Sequence, residues 1–114
     1  MIRTLIALAL LPVLASPAFA HARLLRSSPG AGATVASPAH VLLRFSEALE
    51  PAFSGALLLD QDGRNLSGEP VKINGTLITI TPGPLPPGIY HVNWHSVGRD
   101  THRLEGDFSF TVKP

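Results

Sequence analysis

An aspartate and a histidine two residues apart, Asp100 and His102, form a pair that could bind a metal ion. In an extended segment residues i and i+2 project to the same face, so this D-x-H pair is expected to present a carboxylate and an imidazole side by side. Such pairs also occur by chance on solvated loops. The pair therefore indicates a metal site only where further ligands are available.

His21 supplies further ligands if the segment before it is removed. Residues 1–20 carry a basic residue near the start, an apolar run over residues 5–14 and an A-x-A sequence at residues 18–20, which are the features of a cleaved secretory signal peptide. The apolar run is shorter than the roughly 20 residues that span a bilayer. The sequence therefore predicts a signal peptide over residues 1–20 and a mature domain over residues 21–114 that begins at His21.

A histidine at the start of a chain is a ready-made chelate, because it carries a free α-amine beside its imidazole. With the amine bound, Nδ1 of His21 closes a six-membered ring on the same metal. Addition of Asp100 and His102 gives three nitrogens and one oxygen, a set that suits tetragonal Cu(II), whereas Zn(II) prefers a tetrahedron and Cu(I) prefers sulfur. Protons compete with a metal for an amine and imidazoles, so acid is expected to release the ion.

Composition narrows the chemistry of the predicted domain. The chain has no cysteine, and its single methionine, Met1, lies in the predicted signal peptide. Disulfides, thiolate sites and the sulfur ligands that favour Cu(I) are therefore excluded from residues 21–114. Removal of the signal peptide takes one of nine basic residues and none of eight acidic ones. This balanced charge favours neither nucleic acid nor an anionic membrane surface as a partner. With the apolar run removed, no stable membrane insertion is expected after processing.

The segments that must position these ligands have the pattern of β-strands. Short runs rich in Leu, Val, Ile and Thr are bounded by Gly, Pro, Asn and Asp clusters, and no segment carries a sustained helical period. About seven such strands in one cysteine-free domain predict an all-β, immunoglobulin-like sandwich. The predicted strands include residues 41–45, 55–59, 70–73, 77–81, 89–95 and 107–112.

Aromatic residues are expected to build the core of this sandwich rather than a binding face. Trp94 lies within a predicted strand, and a large ring in a strand of a small sandwich usually occupies the centre of the core. The same interpretation extends to Phe45, Phe53, Phe108 and Phe110.

Six segments in one order resemble the CopC family of periplasmic copper-resistance proteins, and together they cover essentially the whole predicted mature chain. The resemblance implies a Greek-key β-barrel or sandwich that binds copper in the bacterial periplasm. The segments are His21-Ala22-Arg23-Leu24, Ser27-Ser28-Pro29, Leu43-Arg44-Phe45-Ser46-Glu47, Gly88-Ile89-Tyr90-His91-Val92-Asn93-Trp94, Val97-Gly98-Arg99-Asp100-Thr101-His102 and Gly106-Asp107-Phe108-Ser109-Phe110-Thr111-Val112.

The resemblance also implies a ligand set. The family's processed N-terminal histidine corresponds to His21, and its D-x-H motif corresponds to Asp100 and His102. The glutamate of the F-S-E motif corresponds to Glu47, which is a candidate weak ligand or an acceptor for the Nε2 proton of an imidazole. The alternative for Glu47 is a solvated acid at the end of a strand.

One departure from the family concerns Cu(I). Members with two copper sites carry a methionine-rich loop, whereas the corresponding stretch here, residues 61–71, has no Met. We therefore expect one Cu(II) ion per chain and no Cu(I) site. The resemblance further implies a role in copper sequestration, resistance or delivery, with an inner-membrane copper transporter of the CopD type as a partner.

Two other functions remain open at this point. A copper monooxygenase would use the same N-terminal histidine chelate, but it needs an open coordination position and a substrate-binding face, and Asp100 would fill the position that this chemistry needs vacant. A metal-free exported immunoglobulin-like interaction module would make the three ligands coincidental. The ligand set favours a copper-binding protein that is not an enzyme.

Overall fold

Eight β-strands in two four-stranded sheets make up residues 21–114, the part of the chain that the computed structural model describes. The predicted signal peptide, residues 1–20, lies outside the described residues. The strands are β1 Leu24–Ser28, β2 Thr34–Val35, β3 Val41–Phe45, β4 Gly55–Leu59, β5 Lys72–Asn74, β6 Leu77–Ile80, β7 Gly88–Val97 and β8 Arg103–Val112.

The strands form sheet I, in the order β1-β3-β6-β5, and sheet II, in the order β2-β8-β7-β4. Every pair is antiparallel except β2 with β8, which is parallel. Only β5–β6 and β7–β8 are consecutive neighbours, and the other connections pass from one sheet to the other. The predicted all-β sandwich is confirmed. Residues 21–114 contain no helix long and apolar enough to cross a membrane.

Alternating burial explains why these segments become strands. In β3 and β6 the alternate apolar side chains are buried between the sheets, while their neighbours are more exposed, as the two-residue period of a half-buried strand requires. Sheet II contributes further core residues from β4, β7 and β8. The largest buried apolar side chains are Phe45, Phe110, Leu43, Leu58, Ile78, Ile80, Val41 and Val92.

Each of the six strands named from sequence overlaps an observed strand, but two strands were missed. The strand β1 has a mostly exposed or half-buried pattern and three polar residues among five, so it lacks the apolar signal of a core strand. The strand β2 has only two residues. Both lie at sheet edges, where one neighbour suffices.

Two aromatic predictions need correction. Phe53 is 65% exposed, because it lies in a turn between β3 and β4 rather than in a strand. Trp94 is half-buried at the margin of the core, where its ring meets Phe45 edge to face with centroids 5.3 Å apart. Its indole covers the backbone of Gly106, so closely that a Cβ there would lie 2.4 Å from Cζ2. Phe45 and Phe110 are buried as predicted.

Candidate metal centre

The connection between β7 and β8 carries the D-x-H motif. The extended conformation expected for this motif is wrong, because Asp100 lies in a turn and Thr101 has a φ of 62°. The turn is closed by the Thr101 N–H, which donates to the carbonyl of Gly98 at 3.1 Å. A left-handed conformation is rare for a β-branched residue and is common at functional sites. His102, the residue that follows the turn, contacts Asp100 through its backbone N–H and its ring.

Asp100 is the centre of the arrangement. Its Oδ1 accepts a hydrogen bond from the backbone N–H of His102 at 3.2 Å. Its Oδ2 lies 2.7 Å from Nδ1 of His21 and 3.3 Å from Nδ1 of His102. The two imidazole rings meet edge to face, with centroids 4.8 Å apart. His21 therefore shares one oxygen of Asp100, a residue 79 positions further along the chain, with His102.

The three side chains differ in their access to solvent. Asp100 is 20% exposed and His21 is 30% exposed, whereas His102 is 65% exposed. Loss of solvent by itself would raise the pKa of the Asp100 carboxyl. The backbone N–H of His102 and the two imidazoles outweigh that effect and lower the pKa. The carboxyl group is thus held in its ionised, metal-binding form.

The segment that carries His21 is bound on both sides. Ala22 is fully buried, and its carbonyl accepts a hydrogen bond from the Ser96 hydroxyl at 2.5 Å. The Ser46 hydroxyl donates to the carbonyl of His21 at 3.0 Å and accepts from the N–H of Arg23 at 2.9 Å. These bonds fix the backbone on which the His21 ring is mounted.

The three side chains lie close enough together that they could hold a metal ion. Donor atoms about 2.0 to 2.1 Å from one ion are at most about 4.2 Å from each other. One donor atom each from His21, Asp100 and His102 lies within 4.8 Å of the others, so a closure of less than about 1 Å completes the set. Among residues 21–114 these three form the one group of three or more His, Asp and Glu residues with this spacing.

Glu47 lies outside this group of three. It is half-buried and follows directly after Ser46, just beyond the end of β3. Its assignment as a weak ligand or a hydrogen-bond acceptor therefore stays a prediction.

Sequence reasoning missed the two serines that bind the His21 segment. For Ser96 a signal was present, because it follows Tyr90, Val92 and Trp94 at a spacing of two and so must point inward from β7. A hydroxyl at an inward position needs a hydrogen-bond partner. Ser46 carries no comparable signal, since a serine at the end of a strand is ordinary.

The sequence of this chain is similar to those of known copper proteins. The family described as CopC domain matches residues 24–113. Copper resistance protein C of Xanthomonas campestris pv. juglandis is 39% identical over 105 residues, a match that covers 84% of this chain and 83% of that protein. Copper transport protein CutJ of Bacillus subtilis is 29% identical over 113 residues, which cover 95% of this chain and 21% of that protein.

Two solved structures share the fold. The crystal structure of CopC from Methylosinus trichosporium OB3b superposes with a TM-score of 0.75 at 36% identity, covering 82% of this chain and 95% of the other. PcoC from Escherichia coli, described as a methionine-rich copper resistance protein, superposes with a TM-score of 0.73 at 37% identity, covering 82% of this chain and all of the other.

Proposed function

This chain belongs to the CopC family of copper-resistance proteins, and we propose that it binds one Cu(II) ion in the bacterial periplasm through His21, Asp100 and His102. The observation that carries the proposal is the convergence of two imidazole Nδ1 atoms on a single oxygen of Asp100. An ionised carboxylate between two imidazoles offers one oxygen and two nitrogen donors. A divalent cation binds such donors by displacing the protons that they carry.

The choice of copper rests on the donor set and on the family. Three nitrogens and one oxygen, counting the α-amine of a processed His21, favour a tetragonal ion, and Cu(II) is near the top of the divalent affinity order. An amine chelate requires the Nδ1 atom of the histidine ring, and Nδ1 of His21 already faces Asp100. Signal-peptide cleavage before His21 supplies the remaining nitrogen.

We propose a single oxidation state for the bound copper. PcoC from Escherichia coli is described as methionine-rich, whereas residues 61–71 of this chain have no methionine. Without thioether or thiolate ligands in the predicted mature domain, Cu(I) lacks its preferred donors.

The proposed role is to sequester copper or to deliver it. The similarity to 21% of the longer copper transport protein CutJ supports a link between a domain of this kind and copper transport. We propose that this chain passes copper to an inner-membrane transporter of the CopD type. Asp100 would occupy a coordination position that an oxygen-activating enzyme leaves open, so we propose binding rather than catalysis.

The decisive experiment is Cu(II) titration of the processed protein, monitored by electron paramagnetic resonance. It should be compared with a version that keeps one extra residue before His21. We expect one ion per chain in the processed protein, and weaker binding with a different spectrum in the extended version, because its His21 nitrogen is an amide. Identical affinity and spectrum in the two versions would exclude the amine as a ligand.

Single substitutions test the other ligands in the same titration. Asp100→Asn and His102→Ala should each weaken binding, since each removes a donor. His91→Ala, at an exposed histidine in β7, is the matched control and should leave binding unchanged. Glu47→Gln should have a smaller effect than Asp100→Asn if its carboxylate acts only as a weak ligand or a hydrogen-bond acceptor. Unchanged binding in both ligand variants would contradict the proposed site.

A further inference from the structure

We infer that Ser46 and Ser96 are positioning residues for copper: their hydroxyls hold the first residues of the mature chain where the amine and ring of His21 meet Asp100 and His102. The inference rests on the proposed Cu(II) site and adds to it the parts of the fold that assemble it. Neither serine supplies a metal ligand in this proposal.

Ser96 provides the inner attachment. It points inward from β7 and is fully buried, and its hydroxyl donates to the carbonyl of Ala22 at 2.5 Å. Both groups lie out of water, so neither could exchange this bond for one to solvent without opening the core. Ala22, also fully buried, is thereby fixed one residue away from the proposed chelate.

Ser46 provides the outer attachment, at the end of β3. Its hydroxyl donates to the carbonyl of His21 and accepts from the N–H of Arg23, while its own N–H donates to the Arg23 carbonyl at 2.8 Å. Three hydrogen bonds therefore join one serine to the backbone on either side of Ala22.

The two attachments come from different sheets. Ser46 follows a strand of sheet I, and Ser96 lies in a strand of sheet II. They bind the consecutive carbonyls of His21 and Ala22. The first residues of a domain are usually poorly ordered unless they are tied down, and here both sheets tie them.

This attachment matters for copper because the amine and ring of His21 form a chelate wherever the residue lies. Only a docked His21 shares its ion with Asp100 and His102. If the docked state is populated a fraction of the time, the apparent affinity falls by that fraction. Removal of one attachment that lowers the docked fraction to a tenth therefore weakens binding about tenfold, which equals about 1.4 kcal/mol.

The test uses Ser46→Ala and Ser96→Ala in the processed protein, with Cu(II) affinity measured by competition and the spectrum by electron paramagnetic resonance. Ser67→Ala is the matched control. Ser67 is also buried, and its hydroxyl accepts from the backbone N–H of Leu58 at 3.0 Å instead of binding the N-terminal segment. Ser46→Thr keeps a hydroxyl at the outer attachment.

We expect Ser46→Ala and Ser96→Ala to bind Cu(II) about tenfold more weakly and to show a changed spectrum with fewer protein ligands. Ser67→Ala should lower the unfolding temperature but leave affinity and spectrum unchanged, and Ser46→Thr should restore binding. If the two variants fold and bind like the unsubstituted protein, or if Ser67→Ala weakens binding equally, the inference is wrong.

A measurement on the unsubstituted protein covers the case in which Ser96→Ala fails to fold. In the metal-free processed protein the Arg23 amide hydrogen should be protected from exchange with solvent, because it is bonded to Ser46. Rapid exchange at Arg23 would overturn the inference even if copper binds. Equal binding by the extended version would instead contradict the proposed function, so the two failures are distinguishable.

Discussion

Among single residues, Asp100 contributes the negative charge of the proposed site and contacts both of its histidines. One of its oxygens faces two imidazoles, and the other accepts a backbone N–H. The carboxyl pKa is lowered because these bonds outweigh the partial loss of solvent. The same group that would bind a metal therefore also stabilises the metal-free fold.

Asp100→Asn should consequently destabilise the metal-free protein in a pH-dependent way. A carboxyl whose pKa in the folded state lies below its ordinary value of 3.8 contributes stability that is present above the unfolded pKa and is lost as pH falls through the folded pKa. The difference in unfolding free energy between the variant and the unsubstituted protein should be largest near neutral pH and shrink below about pH 4.

Urea unfolding of the metal-free protein between pH 7 and pH 3 measures this difference. Asp62→Asn is the matched control, because Asp62 is an exposed carboxylate that faces Arg64. A difference for Asp100→Asn that stays constant across this range would contradict the assigned hydrogen bonds.

Residue types and spacing were enough to single out His21, Asp100 and His102. The structural reason for the D-x-H pair was wrong, since Thr101 takes a left-handed φ instead of an extended one. The D-x-H motif predicted that the two side chains lie close together, but it did not predict the backbone conformation that brings them there. The attachment by Ser46 could not be predicted either, because its partners lie more than twenty positions away in the chain.

The hairpin of β7 and β8 is the element that carries two of the three proposed ligands. Its ten residue pairs run from Gly88 with Val112 to Val97 with Arg103. Within it Trp94 faces Gly106, and the indole occupies the space that a side chain at position 106 would need. Glycine at this position leaves room for the ring next to β8, where it also contacts Phe45 in the other sheet.

Gly106→Ala should therefore destabilise the fold by about 1 to 3 kcal/mol, as inserting a methyl group into a packed site usually does. It should also change the tryptophan fluorescence, because the ring must move. Gly83→Ala is the control, since a Cβ at position 83 would have no neighbour within 4 Å. Thermal unfolding and emission spectra measure both effects, and an unshifted spectrum for Gly106→Ala would show that the ring does not lie as described.

At this scale the sequence predicted strands better than their ends. The predicted strands at residues 77–81 and 107–112 match β6 and the second half of β8. The first residues of β8, from Arg103 to Gly106, have mixed polarity. They are extended because their backbone groups pair with residues 94–97 of β7. The local sequence pattern does not show such pairing, because strand formation depends on the neighbouring strand.

At the scale of the whole molecule the proposed site joins the two sheets. His21 precedes β1 of sheet I, whereas Asp100 and His102 connect two strands of sheet II. All three side chains can bind one ion only while the sheets are packed together. Such an ion would therefore bind the folded state in preference to the unfolded chain.

Cu(II) should accordingly raise the unfolding temperature of the processed protein. At a free copper concentration one hundred times the Kd, the expected stabilisation is about 2.7 kcal/mol. His102→Ala should reduce the increase, and calorimetry of both proteins with and without copper measures it. An equal increase in the two proteins would place the ion elsewhere.

The solvent exposure of the three side chains also bears on how fast an ion could be exchanged. A competing ligand arriving from water meets the His102 side first, because that imidazole is more than twice as exposed as the His21 side chain and three times as exposed as Asp100. Replacement of the His102 imidazole would leave the proposed His21 chelate and the Asp100 carboxylate in place, so the ion would keep protein ligands during the exchange. In the proposed site, His102 would therefore be the ligand that a competing molecule displaces first, while His21 and Asp100 would hold the ion.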